Sequence, residues 1–179
     1  MRTALFLLAD GVEETEAITP IDLLRRAGVD VTLASLSDQR HVTGRSGITL
    51  HADLALSKIG GRLFDLLFLP GGPGVKNLRA DPRVDAVVRA HAAAGKWIAA
   101  ICAAPTVLNA AGLLDGRRYT AHFSAAGELT RILADQRVVT DGNILTSRGA
   151  GTALDFGLLL VEKLVSAEKA GDIARSICA

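Results

Sequence analysis

At 179 residues the chain has the length of one ordinary domain, and 49% hydrophobic content supplies a core without disulfide or metal staples. Lys plus Arg number 20 and Asp plus Glu 19, a formal net charge of +1, so no long-range field draws the chain to nucleic acid or an anionic membrane. Aromatics, at 4%, are too scarce for a base-stacking platform, and two cysteines, Cys102 and Cys178, build no disulfide framework and point to a reducing compartment.

The first apolar run, Ala4–Ala9, follows Arg2 and has the outline of a short signal peptide. Asp10, Glu13, Glu14 and Glu16 come directly after it with no small-x-small cleavage site, so it reads as a buried strand. No apolar stretch approaches the roughly 18 residues of a membrane span. The expectation is a cytoplasmic protein with neither membrane nor nucleic acid as partner. Asp10-Gly-Val-Glu-Glu-Thr-Glu16 leads into a helix, with Thr19-Pro20 near its first turn and Gly28 at its end. Val29–Leu36 is a second strand. Val42–Ala52 alternates about Gly44-Arg-Ser-Gly47 and reads as an inserted β-hairpin.

Leu63–Leu69 is a third strand, apolar on both faces at Leu66-Leu-Phe-Leu69, as a parallel sheet covered on both sides requires. It runs into Pro70-Gly-Gly-Pro-Gly74. Asp81-Pro82 gives an N-cap and a first-turn proline to a helix carrying Val84, Val87 and Val88 and stopped by Gly95. Trp97–Ile101, Val138–Thr140 and Ile144–Thr146 are further strands. Thr152 and Asp155 have the spacing of a capping box, and Ala167–Ile177 is a terminal helix. Residues 1–179 therefore read as one α/β domain, a sandwich around a mostly parallel sheet. In such sheets the functional side chains sit in loops beyond the carboxyl ends of the strands.

Four of those loops hold more than a bland turn. In Ala99-Ala-Ile-Cys-Ala-Ala-Pro105 a nucleophile-type side chain stands between a buried strand and a helix, with small residues two positions to either side. That is the pattern of a nucleophile elbow. The helix amino end would favour thiolate over thiol, and the Ala103 N–H would face an oxyanion. A free cysteine also packs as a small hydrophobe, and this segment alone leaves both readings open. Pro70-Gly-Gly-Pro-Gly74 lacks the Lys-Ser/Thr of a phosphate loop and the third glycine of a dinucleotide fingerprint; a plain tight turn would explain it. Glu13, Glu14 and Glu16 lie at a helix start, where dipole effects alone favour carboxylates. His122 is one of four histidines, the others being His41, His51 and His91, and no spacing of His, Cys, Asp and Glu suggests a zinc site.

Taken together, Gly11-x-Glu-Glu-x-Glu16, Leu69-Pro-Gly-Gly72, Ala99-Ala-Ile-Cys-Ala-Ala-Pro105 and Leu145-Thr-Ser-Arg-Gly-Ala-Gly-Thr152 resemble, in content and order, the ThiJ/PfpI superfamily. Within it they are most similar to the branch of the human parkinsonism-associated protein deglycase and its bacterial relatives. The resemblance runs from about Thr3 to the terminal helix. It implies a flavodoxin-like three-layer sandwich, a homodimer, and Cys102 as reactive thiol. It further implies that Glu16 hydrogen-bonds the sulfur, that Gly72 and Ala103 supply backbone donors, that His122 stands nearby, and that Arg45 on the hairpin reaches a partner's site. The second hairpin cysteine of some relatives is Leu50 here. The implied activity is a cofactor-free and metal-free glyoxalase or deglycase acting on methylglyoxal, glyoxal or their adducts in carbonyl and oxidative stress.

Two like charges about 4 Å apart repel by about 4 kcal/mol at an effective dielectric near 20. Glu16 and Cys102 should therefore hold one proton between them, with the helix end favouring charge on sulfur. A redox sensor or chaperone using oxidation of Cys102 to sulfinate is the second reading. A peptidase or amidase is a distant third, because Ala121-His-Phe-Ser124 lacks the acidic partner that His122 would need.

Overall fold

In the stretch Thr3–Leu8 the side chains divide strictly between two cores. Ala4, Phe6 and Leu8 enter one, and Leu5 and Leu7 the other. A strand buried on both faces must lie inside a covered sheet, and that is where a computed structural model, which describes residues 1–179, places it. In chain order the elements are β1 (Thr3–Leu8), α1 (Glu14–Arg26), β2 (Asp30–Ser35), β3 (His41–Thr43), β4 (Thr49–His51), β5 (Leu54–Ala55), β6 (Leu66–Leu69), α2 (Val75–Ala80), α3 (Pro82–Ala93), β7 (Trp97–Ile101), α4 (Pro105–Ala110), β8 (Val138–Asp141), β9 (Ile144–Ser147), α5 (Ala153–Leu164) and α6 (Ala167–Ser176).

Seven strands form one sheet in the order β5-β2-β1-β6-β7-β9-β8, parallel except for the β8–β9 pair at one edge. The central five follow the flavodoxin-like order 2-1-3-4-5. β3 and β4 form a separate antiparallel hairpin, with Val42 opposite Leu50. On one face, beneath α1 and α5, Phe6 and Phe68 stack with centroids 4.4 Å apart, and Phe156 of α5 packs on Phe68 at a tilt. On the other face Val84 and Val88 of α3 and Val107 and Leu108 of α4 close the core. No helix is long and apolar enough to cross a membrane.

Asp81 caps α3 by accepting from the Arg83 N–H at 2.8 Å, and Gly28 and Gly95 end their helices at positive φ, as expected. Three local expectations are corrected. Pro20 lies in the middle of α1 rather than near its first turn, because the helix already begins at Glu14 with Glu13 as its cap. Thr152 makes no side-chain cap to α5; its hydroxyl bonds Ser147 Oγ at 2.7 Å and the Gly149 N–H at 3.1 Å, while Asp155 pairs with Arg137 at 2.5 Å. The third strand starts only at Leu66, since the Phe64 N–H donates to buried His91 Nε2 at 3.1 Å and holds the preceding residues in a loop.

Helix α5 approaches α1 closely at Gly157, where a Cβ would lie 2.5 Å from Leu23 Cδ1 and 3.2 Å from Pro20 Cα. Gly157→Val should therefore overpack this contact and destabilise the protein by about 1–3 kcal/mol. Urea unfolding of both proteins checks it, and an unchanged midpoint would contradict the packing described.

Candidate active site

The chain leaves β1 toward β2 on one side, and leaves β6 toward β7 on the other. The crevice over the β1–β6 boundary is thus the topological switch point, where open α/β sheets bind ligands. The loops after β1, β6 and β7 meet there and bring Glu16, Gly71, Gly72, Cys102 and Ala103 together.

Cys102 has φ +65°, a left-handed conformation that a non-glycine residue adopts only when its surroundings hold it. Two hydrogen bonds hold it. Its N–H donates to Ser147 C=O at 3.0 Å, and its own carbonyl accepts from the His122 N–H at 2.9 Å. The turn leaves no room beside it: a Cβ on Gly71 would lie 2.5 Å from Cys102 Cβ and 2.3 Å from Glu16 Oε2. A Cβ on Gly72, at φ +93°, would lie 2.5 Å from both Glu13 N and Gly11 O. The glycines of Pro70-Gly-Gly-Pro-Gly74 therefore permit close backbone approach, which a plain turn would not need.

The three glutamates of the β1–α1 loop have separate tasks. Glu13 caps α1, accepting from the Glu16 N–H at 2.8 Å. Glu14 is buried and seats the hairpin, its Oε1 accepting from the Ser46 N–H at 2.8 Å, while its Oε2 is buried without a partner. Glu16 is 1% exposed and points into the cleft, where Oε2 accepts from the Gly71 N–H at 3.0 Å and the Ala150 N–H and Cys102 thiol lie near enough to favour the ionised carboxylate. The N–H groups of Gly72 and Ala103 lie beside the sulfur and favour its charged form.

Burial pushes Glu16 up to about 7, with the Glu13 charge adding to it. Burial, followed by the charge of Glu16, pushes Cys102 up to about 12, against the two N–H groups that favour thiolate. The sequence expectation of a thiol simply lowered by its helix end is thus corrected: α4 is only six residues long and the half-buried sulfur lies beside a carboxylate. The value near 12 belongs to a second charge placed next to an ionised Glu16. One negative charge therefore occupies the pair from about pH 7 upward, and one proton stays shared between oxygen and sulfur.

His122 stands at the mouth of the cleft. Its Nδ1 accepts from the Ser124 N–H at 3.2 Å and lies 2.9 Å from Ser124 Oγ, so the neutral ring carries its proton on Nε2. Arg45 is anchored by its N–H to Val12 C=O at 2.8 Å and borders the cleft of its own chain. The cleft, about 380 Å³, thus collects all six residues singled out from the sequence. Cys178 is exposed near the chain end. No three His, Cys, Asp or Glu side chains come together to hold a metal ion. Sequence reasoning missed Gly71, Ala150 and Ser124. The Pro-Gly-Gly-Pro-Gly and Ser-Arg-Gly-Ala-Gly-Thr segments were the available signals for the first two; nothing marked Ser124.

A sequence model of the DJ-1/PfpI family matches residues 2–163. Protein dj-1beta of Drosophila melanogaster is 38% identical over 180 residues, covering 98% of this chain and 96% of its own. Glutathione-independent glyoxalase DJR-1.2 of Caenorhabditis elegans is 35% identical over 182 residues, covering 99% and 96%. The crystal structure of Drosophila melanogaster DJ-1beta superposes with a TM-score of 0.96 at 37% identity, covering 99% of this chain and 98% of that one.

Glu16 ionises at about 7 in the folded protein against an ordinary 4.5. Stability tied to its proton is complete below about pH 4.5 and lost as pH rises through about 7, a loss of about 3 kcal/mol at about 1.4 kcal/mol per pKa unit. Glu16→Gln should remove that loss and unfold at higher urea than the wild type at pH 8. Parallel pH dependence in the two proteins would contradict the assignment.

Proposed function

The chain belongs to the DJ-1/PfpI family, and on that premise we propose that it is a cysteine-dependent glyoxalase or deglycase acting on 2-oxoaldehydes such as methylglyoxal and glyoxal, or on their adducts. The observation that carries the reading is the Glu16–Cys102 pair, singly charged near neutral pH and set among backbone donors at the base of an open cleft. The glyoxalase name of the Caenorhabditis elegans relative supports it.

In the attacking form Glu16 holds the proton and sulfur the charge. Sulfur adds to the aldehyde carbon, the C=O electron pair moves to oxygen, and the Gly72 and Ala103 N–H groups pass from sulfur to that oxyanion. Glu16 donates its proton to the oxyanion, leaving a hemithioacetal and a carboxylate. The carboxylate then removes the C–H proton of the same carbon. The electron pair shifts through an enediol, stabilised by a hydrogen bond from His122 Nε2, and a proton returns to the adjacent carbon to give a 2-hydroxy thioester. Water hydrolyses the thioester, releasing the 2-hydroxy acid and restoring the thiol. Atoms balance as one aldehyde plus one water, with all proton transfers made by the chain's own groups.

The same donors would hold the oxygens of a sulfinate, so a redox-sensing role for Cys102 is the second reading. A homodimer belongs to the same proposal. Ile18 on α1 and Ile48 on the hairpin are 45% and 57% exposed, and both flank Glu14, which joins their elements. Light scattering should give a dimer that Ile48→Glu dissociates; a monomeric wild type at micromolar concentration would sink this part.

Purified protein should convert methylglyoxal to lactate without glutathione, and chelators should not inhibit it. The kcat/KM should rise with pH through about 7, as the pair loses its first proton. Cys102→Ser should abolish turnover. His122→Ala should slow it without abolishing it, within the roughly 10²–10⁴-fold of single acid–base groups. NMR of the product mixture is the measurement, and lactate formed at the wild-type rate by Cys102→Ser would overturn the mechanism.

A further inference from the structure

A cleft of about 520 Å³ is separate from the one that holds Cys102. It adjoins that cleft, and His122 and Ala150 line both. Each has the size of a site for a drug-sized ligand, and a molecule as small as methylglyoxal leaves most of the space unused.

The chemistry of the second cleft is specific. Phe123, 81% exposed and packed on the His122 ring with centroids 4.0 Å apart, forms an apolar wall with Ile132 and Ala134. Two arginines face it. Arg137 is already engaged, its Nε on Asp155 at 2.5 Å and its NH2 group on Gly151 C=O at 2.9 Å. Arg148 is exposed, and only its backbone is bonded, through the N–H to Arg137 C=O at 3.2 Å. Since Asp155 neutralises Arg137, the cleft presents one unanswered cation beside an apolar surface. A guanidinium's planar fork matches a carboxylate in two parallel hydrogen bonds.

We propose that the second cleft is a subsite for the carrier portion of an adduct. The aldehyde-derived carbon lies at Cys102, the carrier's apolar stem lies along Phe123, and the carrier's carboxylate pairs with Arg148. The substrate class is then a 2-oxoaldehyde adduct of a small thiol or amine bearing a free carboxylate, such as an amino-acid derivative, in preference to the free aldehyde. This rests on Cys102 as the group that captures the aldehyde carbon.

The test uses inert mimics, so that binding is read apart from turnover. S-(2-hydroxypropyl)-N-acetylcysteine and its carboxamide differ only in the charged group. By calorimetry the wild type should bind the acid about tenfold more tightly than the amide, the scale of a charge-assisted hydrogen bond, and the preference should shrink with added salt. Arg148→Gln should lose the preference, Arg148→Lys should keep part of it, and Arg118→Gln, outside both clefts, should keep all of it. Equal affinity for acid and amide in the wild type, or a preference that survives Arg148→Gln, overturns the subsite. Methylglyoxal turnover by the wild type is measured separately. A binding preference without turnover would leave the subsite standing and remove the reaction, and turnover without a preference would do the reverse.

Discussion

One negative charge, shared by buried Glu16 and half-buried Cys102, is the constraint around which this protein is arranged. Such a charge is expensive unless hydrogen-bond donors meet it. Four backbone N–H groups do so, those of Gly71 and Ala150 at the carboxylate and those of Gly72 and Ala103 at the sulfur. Backbone donors can approach that closely only where no Cβ intervenes, which accounts for glycine at 71 and 72. Cys102 is held at positive φ by its backbone bonds to Ser147 and His122, in a turn that sets its sulfur beside Glu16. Burial leaves the pair ready to change charge near neutral pH, which suits proton transfer and makes the site a source of instability.

The rest of the fold supports that arrangement. Each loop of the site leaves a strand whose side chains are locked into two cores, so its start is fixed on both faces of the sheet. The loops meet where the strand order reverses, the one place on such a sheet where adjacent loops diverge and open a crevice. The β1–α1 loop shows how densely roles are packed. Within four residues it caps a helix, seats the hairpin that carries Arg45, and delivers the carboxyl group to the sulfur.

Much of this could be read from the residues. Doubly apolar runs such as Leu66–Leu69 require a covered parallel sheet, and small neighbours around Cys102 mark an elbow, because both express sterics local in the chain. Helix boundaries were read less well at Pro20 and Thr152. A cap at Glu13 and a hydroxyl drawn to Ser147 and Gly149 depend on contacts that sequence spacing does not encode. The tasks of Glu13, Glu14 and Glu16 could not be told apart by helix-dipole reasoning, which treats first-turn carboxylates alike. Nor could the charge state of the pair, since desolvation is set by all three loops at once. Ser124 was invisible for the same reason, its partner being fixed by the turn that follows His122.

The claim that Glu16 and Cys102 titrate as one unit is tested most directly by the rate of Cys102 alkylation against pH, followed by mass spectrometry in wild type, Glu16→Gln and the Glu14→Gln control. The account predicts two rises in the wild type, one near 7 as the pair loses its first proton and one near 12 as it loses the second. It predicts that Glu16→Gln loses the lower rise and, with no carboxylate charge beside it, ionises its thiol in one step below about 12, while Glu14→Gln changes little. Superimposable profiles for all three proteins would contradict it.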